Sequence, residues 1–66
     1  MKKFEQLKQD LLKEKESIES NIIYYREMRD VTTDSSTREM YNSSLEYARG
    51  RWYGIITALK MIERYK

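Results

Sequence analysis

The sequence predicts an all-α fold, an antiparallel hairpin of two helices, on the basis of three observations. Two long segments repeat apolar residues every three or four positions, and neither sustains the alternation of a strand. The chain has no Pro and only two Gly, which are the residues that punctuate turn-rich and sheet proteins. Poor helix formers separate the two segments. We therefore predict one domain, 1–66, with a helix over 3–29, a loop over 30–35 and a helix over 36–65.

The first helix is predicted from an apolar face with two polar interruptions. Its apolar residues are Phe4, Leu7, Leu11, Ile18, Ile22, Tyr25 and Met28. Glu14 and Asn21 occupy positions where a strict heptad would place core residues. Polar residues there can fix register and oligomeric state, whereas a helix that drifts from the heptad leaves them in solvent. The second interpretation is favoured, so Glu14 is expected at the surface.

The second helix is predicted to follow a short polar loop. The segment 30–35 gathers β-branched and small polar residues, which favour turns and caps over helix interiors. Ser36 and Glu39 then stand three residues apart, as in a capping box, in which each side chain bonds the other residue's backbone amide. We expect this pair to start the second helix. A short loop between two helices of similar length predicts an antiparallel hairpin.

The second helix carries two apolar stripes, about 100° apart. The main seam comprises Tyr41, Leu45, Ala48, Trp52, Ile55, Leu59 and Ile62. The second stripe comprises Met40, Ser44, Tyr47, Arg51, Gly54, Ala58, Met61 and Tyr65. One neighbouring helix cannot cover both stripes, and stable domains bury apolar faces between packed layers. The sequence therefore predicts a homodimer, in which a second copy covers the exposed stripe and closes a four-helix bundle.

The predicted dimer contact centres on small residues of the second stripe. Gly54 and Ala58, with Gly50 one turn earlier, would let another backbone approach closely. Tyr47 and Met61 would flank that approach. In the alternative interpretation, Gly50 faces solvent and Gly54 only relieves crowding beside Trp52. Glycine inside a helix costs about 0.8–1 kcal/mol relative to Ala, so two of them favour a compensating contact.

Composition excludes most catalytic and metal chemistry. The chain has no Cys, which rules out a disulfide, and no His, which makes a zinc site very unlikely. Glu14, Glu16 and Glu19 alternate with Lys13 and Lys15, a pattern typical of a solvated helix face with paired charges. The sequence offers no phosphate-binding glycine loop and no calcium loop. We therefore expect no enzyme activity, cofactor, metal or small-molecule substrate.

Charge and hydropathy indicate neither a membrane span nor a dominant electrostatic partner. The chain opens on Met1, Lys2 and Lys3 without an apolar segment after them, so a cytoplasmic location is expected. The longest uncharged apolar stretch, Trp52 to Leu59, is far shorter than a membrane span needs. With 13 basic and 11 acidic residues, the net charge is only +2.

The most distinctive segment interleaves cations with aromatic residues. Trp52 belongs to the main seam and is assigned to the core, which leaves a candidate partner surface of Tyr24, Arg49, Arg51 and Tyr53. Tyr and Arg are enriched in the hot spots of protein interfaces. The predicted function is a non-enzymatic protein interaction module, a homodimeric helical bundle that binds and either inhibits or tethers another protein.

A second function remains open on the same segment. The basic side of helix two could bind the phosphates of a nucleic acid, with Tyr47 or Tyr53 stacking on bases. Its cations are Arg49, Arg51, Lys60, Arg64 and Lys66. The near-neutral total charge and the lack of a short recognition helix after a tight turn weigh against it. In composition the chain resembles small helical proteins encoded by bacterial phages and mobile elements, a likeness that identifies no functional residue.

Overall fold

A computed structural model describes residues 2–65 as two antiparallel helices, which confirms the predicted all-α hairpin. Helix α1 spans Lys2–Val31 and helix α2 spans Ser35–Arg64, each 30 residues long. The described residues occupy about 50 × 15 × 11 Å, so the helices lie side by side in a single layer. Within residues 2–65, neither helix has a stretch long and apolar enough to cross a membrane.

The connection between the helices is only three residues long, 32–34, and is shorter than the predicted loop. The backbone amide of Thr32 still donates to the Met28 carbonyl at 3.0 Å, which extends the hydrogen bonding of α1. The Thr32 hydroxyl donates to the same carbonyl. Arg38 then reaches back from α2 and donates to the Thr32 carbonyl at 3.2 Å. These bonds satisfy carbonyls at the end of α1 that would otherwise lack partners.

The cap of α2 is Asp34, so the predicted capping box of Ser36 and Glu39 is wrong. Asp34 has an extended backbone, and its carboxylate accepts from the Thr37 amide at 2.9 Å and from the Thr37 hydroxyl at 2.8 Å. Asp is among the best N-cap residues because its side chain accepts from a free amide of the first turn. The helix therefore begins earlier in the chain than predicted, and Ser36 lies inside it. The two bonds from Thr37 lower the pKa of the Asp34 carboxyl.

The predicted main seam of α2 faces α1 and forms the core. Leu45, Ala48 and Ile62 are buried, as is Ile18 of α1. The remaining seam residues are half-buried, namely Tyr41, Trp52, Ile55 and Leu59. No other described residue is fully buried, so the hairpin has a narrow core along one line of contact. This is what two helices without a second layer can provide.

Four side-chain contacts between the helices show their register along the hairpin. Lys8 pairs with Glu63, Glu14 with Arg51, Glu19 with Trp52, and Arg29 with Asn42. Residue numbers fall along α2 as they rise along α1, as an antiparallel arrangement requires. Because Lys8 lies level with Glu63, Phe4 and Leu7 lie opposite the last residues of α2 and remain largely exposed. The first turns of the predicted apolar face therefore do not contribute to the core.

Candidate interaction surface

The second stripe of α2 is an apolar surface that the hairpin leaves uncovered. Its four large apolar residues expose 52% to 70% of their surface, namely Met40, Tyr47, Met61 and Tyr65. Ser44 and Ala58 lie at the edge beside α1 and are half-buried. The structure thereby decides which stripe contacts α1, a question that periodicity left open. The main seam does so, and the second stripe faces outward.

Both glycines of α2 lie on this outward side with open space around them. A Cβ atom placed on Gly50 or Gly54 would meet no heavy atom of the hairpin within 4 Å. Neither residue has a positive φ, so backbone conformation does not require glycine. The interpretation that Gly54 relieves crowding beside Trp52 is therefore wrong. Within the described hairpin nothing offsets the cost of about 0.8–1 kcal/mol for each glycine.

Arg51, the only charged residue of the second stripe, is paired across the hairpin with Glu14. Both side chains are about half exposed, so the pair contributes little to stability. It accounts for one of the two polar interruptions of α1, because Glu14 lies at the edge of the contact with α2. Asn21 is exposed further along the same edge. Glu14 is exposed, as the favoured interpretation expects, but its carboxylate is paired with Arg51 across the hairpin and is not simply solvated.

A shallow groove of about 300 Å³ runs beside this ion pair, between the two helices. It is open to solvent on one side. Its lining residues are Ile18, Asn21, Tyr25, Ser43, Ser44, Tyr47, Ala48 and Arg51. The lining contains no carboxylate and no cluster of groups suited to acid–base chemistry. Such a groove is better suited to packing against a helix than to enclosing a small molecule.

The four residues of the predicted partner surface do not form one patch. Arg49 and Arg51 are two positions apart on a helix, so their side chains point about 200° apart. Arg51 lies toward Glu14, whereas Arg49 lies toward Glu46, at 3.9 Å. Tyr53 is one turn after Arg49 and on its side of α2. Arg49 and Tyr53 therefore share one side of α2, and Arg51 lies on the other.

Tyr24, the fourth residue, belongs to an aromatic cluster near the loop end of the hairpin. Its ring centre lies 5.6 Å from that of Tyr25 and 6.4 Å from that of Tyr41, both in edge-to-face geometry. Tyr41 is desolvated in this cluster, which raises the pKa of its hydroxyl, and Tyr24 adds to that shift. Edge-to-face pairs stabilise packing beyond the area that they bury. Tyr24 itself is half exposed and is therefore both a packing residue and a surface residue.

Trp52 and Glu19 form a polar contact that sequence reasoning did not find. The indole Nε1 of Trp52 donates to the Glu19 carboxylate at 2.9 Å, and the Lys15 ammonium lies 3.1 Å from the same oxygen. The hydrogen bond from Trp52 and then that from Lys15 lower the pKa of Glu19. The sequence assigned Glu19 to a solvated face because its partner lies on the other helix. The only sequence signal for this contact is the periodicity of Trp52, which places its side chain on the side of α2 that faces α1.

The described residues 2–65 contain no cluster of three or more acidic side chains that could hold a metal ion. Glu14, Glu16 and Glu19, the acidic run of α1, do not converge. Glu14 turns toward Arg51, Glu19 toward Trp52, and Glu16 is exposed.

Comparison with protein families, curated proteins and solved structures found no match for this chain. The class that the fold defines is a two-helix hairpin with an unpartnered apolar face.

Proposed function

We propose that the protein is a non-enzymatic protein interaction module that assembles as a homodimer through the second stripe of α2. In this assembly the stripes of two hairpins meet and close a four-helix bundle. The observation that supports it is the exposure of Met40, Tyr47, Met61 and Tyr65 along one side of a helix. Apolar faces of this kind mark sites of association.

The narrow core of the hairpin supports the same proposal. Only Ile18, Leu45, Ala48 and Ile62 are buried among the described residues. A domain of this size is only marginally stable, and small domains without disulfides or metals gain stability by oligomerisation. A second copy would add a layer to the hairpin.

Sedimentation equilibrium at micromolar concentration tests the homodimer. We expect a mass near twice the 8.1 kDa of one chain. We also expect the thermal midpoint to rise with protein concentration, because folding and association are linked. A well-folded monomer whose midpoint is constant over two decades of concentration would overturn the proposal.

The second part of the proposal is a protein partner, bound by the side of α2 that carries Arg49 and Tyr53. The Arg49 side chain is about half exposed and Tyr53 is largely exposed, and both belong to residue types enriched in hot spots. The bound partner would be inhibited or tethered. An affinity-tagged chain should retain a partner from extract after nuclease treatment, and a variant with Arg49→Ala and Tyr53→Ala should lose it. Retention abolished by nuclease would point instead to nucleic acid.

The nucleic-acid alternative has less support. Arg49 and Arg51 lie on opposite sides of α2, and each lies beside a carboxylate of the same chain. Lys60 and Arg64 are exposed, but Lys66 lies outside the described residues. Binding a phosphate backbone requires several cations on one side. This alternative is tested by salt dependence in the Discussion.

A further inference from the structure

The outward side of α2 contains a strip without any charged residue. A helix turns by 100° per residue, so these positions lie within about 40° of the direction of Gly54. Between positions 43 and 65, the uncharged strip consists of Ser43, Tyr47, Gly50, Gly54, Ala58, Met61 and Tyr65, and Ser36 and Met40 extend it toward the start of α2. Its large members, Tyr47, Met61 and Tyr65, are among the most exposed apolar residues of the hairpin. No described residue of the same chain covers it.

The central part of the uncharged strip, from Tyr47 to Met61, is symmetric in side-chain size about Gly54, whereas Ser43 and Tyr65, eleven residues before and after it, differ in size. Gly50 and Ala58 lie four residues before and after it, and both are small. Tyr47 and Met61 lie seven residues before and after it, and both are large. This central part matches itself when it is turned end to end. A two-fold interface requires this property, because the same patch must complement its own copy.

We infer that a second copy of this chain packs on the uncharged strip in antiparallel orientation, with the two-fold axis passing beside Gly54. The inference rests on the proposed homodimer and specifies its geometry. Gly54 meets Gly54 of the second copy, and Gly50 lies opposite Ala58, so the backbones approach closely at the centre. Tyr47 packs beside Met61 at each end of the contact.

Charges beside the strip favour the second copy as the occupant and the antiparallel orientation. Glu46, Lys60 and Arg64 lie along one edge of the strip, and all three are exposed. Arg51 lies along the other edge, where it is paired with Glu14 of its own chain. In the antiparallel pair this edge faces the same edge of the other copy. Glu46 is then level with a position between Lys60 and Arg64 of the second copy, and the contact occurs twice. Opposite charges at such flanking positions set the partner and orientation of paired helices.

A parallel pair lacks this complementarity. In a parallel pair, residues with the same number lie at the same height along the two helices. The edge of the strip that carries Glu46 then faces the opposite edge of the strip on the second copy. Glu46 would lie beside Ser44 and Tyr47, with Arg51 about 7.5 Å further along the helix, rather than level with Lys60 and Arg64. The parallel pair would also align the dipoles of two long helices in the same direction, whereas the antiparallel pair opposes them.

Cysteine crosslinking tests the geometry, because the chain has no Cys of its own. Under mild oxidation, Gly54→Cys should crosslink to itself in high yield. Tyr47→Cys alone and Met61→Cys alone should not, because like residues would be about 21 Å apart along the helices, far beyond disulfide reach. An equimolar mixture of the Tyr47→Cys and Met61→Cys chains should crosslink. Ser20→Cys, on the outer side of α1, controls for random collision.

Charge reversal gives a second measurement that introduces no cysteine. Glu46→Lys should raise the dissociation constant of the dimer at least several-fold, because it sets like charges against each other. Adding Lys60→Glu and Arg64→Glu to that variant should restore tight association. Sedimentation at low and high salt measures both effects, which salt should weaken.

The outcomes separate this geometry from the proposed function. A monomeric native chain overturns both. A dimer in which Tyr47→Cys and Met61→Cys each crosslink alone keeps the homodimer and overturns the antiparallel axis. A dimer that crosslinks at none of these positions places the interface elsewhere, and so does a Glu46→Lys variant that dimerises normally.

Discussion

The indole of Trp52 and the carboxylate of Glu19 join the two helices near the middle of the hairpin, at 2.9 Å. Lys15 reaches the same carboxylate from within α1. The carboxylate thus accepts from one donor on each helix. The contact fixes register, because a shift of α1 by one residue would move Glu19 away from the indole.

Substitution Glu19→Gln should give a pH-dependent loss of stability. The folded state lowers the pKa of Glu19, through Trp52 first and Lys15 second, so the charged form is favoured in the fold. This stabilisation is complete above the ordinary glutamate pKa of about 4.3 and is lost as the pH falls through the lower, folded pKa. The free energies of unfolding of wild type and variant should therefore differ at pH 7 and converge once the pH falls below the folded pKa of Glu19. Urea unfolding at each pH measures them.

Glu16→Gln is the matched control for that experiment. Glu16 lies on α1 in the same acidic run and is exposed. The control reports the effect of removing one negative charge from this helix. A difference for Glu19→Gln that equals the control, or that grows as the pH falls, would contradict the assigned role of the Trp52 contact.

Leu45→Ala should destabilise the protein by about 2–5 kcal/mol, the range for truncating a buried leucine. Leu45 is the most completely buried side chain described, with 0% of its surface exposed. Leu7→Ala, at a leucine that is 46% exposed, should cost far less. Because the larger loss can unfold a small domain outright, Leu45→Met supplies a milder test, at less than about 1.5 kcal/mol. Equal effects at Leu45 and Leu7 would contradict the assignment of the core.

The hairpin itself was predictable because its signals are local and repeated. The seam of α2 follows strict three- and four-residue spacing, and Leu45, Ala48 and Ile62 are buried as that spacing predicts. The loop was less predictable. Asp34, Ser35 and Ser36 are all good N-cap residues, and the choice among them depends on where α1 ends. Thr32 bonds back to Met28 and extends α1, so the turn uses Asp34.

The surface could be predicted only in part because it depends on the register between the helices. Periodicity identified the second stripe of α2 without knowledge of α1. The contacts of Glu19 with Trp52 and of Glu14 with Arg51 join residues more than 30 positions apart. Their pairing is set by the length of the connection, which is shorter than predicted. Periodicity also could not show that Gly54 has open space around it.

Substitutions at Asp34 and Ser36 should show which of the two residues is the N-cap of α2. Asp34→Ala should lower the thermal midpoint, because the Thr37 amide and hydroxyl both lose their acceptor. Asp34→Asn should retain most of the stability, since Asn caps helices nearly as well. Ser36→Ala should change the midpoint little or raise it. Circular dichroism melts compare the three, and a larger loss for Ser36→Ala would restore the capping box.

Gly54→Leu should act in opposite directions on the hairpin and on its dimer. Leucine has the higher helix propensity, and the hairpin offers no neighbour within 4 Å of the added Cβ, so the dilute monomer should become more stable. In the proposed dimer the side chain would block the close approach and weaken association. Ser20→Leu, exposed on α1, should leave association unchanged. A Gly54→Leu variant that dimerises as tightly as wild type would remove Gly54 from the interface.

Salt dependence should exclude nucleic acid as the main partner. A protein that neutralises phosphates releases counterions, so the logarithm of affinity falls with log salt at a slope of about −0.7 to −0.9 per phosphate. Arg49 and Arg51 lie on opposite sides of α2 and beside Glu46 and Glu14, so one backbone cannot engage both. We expect no appreciable binding of labelled DNA or RNA near physiological salt by fluorescence anisotropy. Micromolar binding with a steep slope, flattened by up to about two when both arginines become Gln, would make nucleic acid the partner.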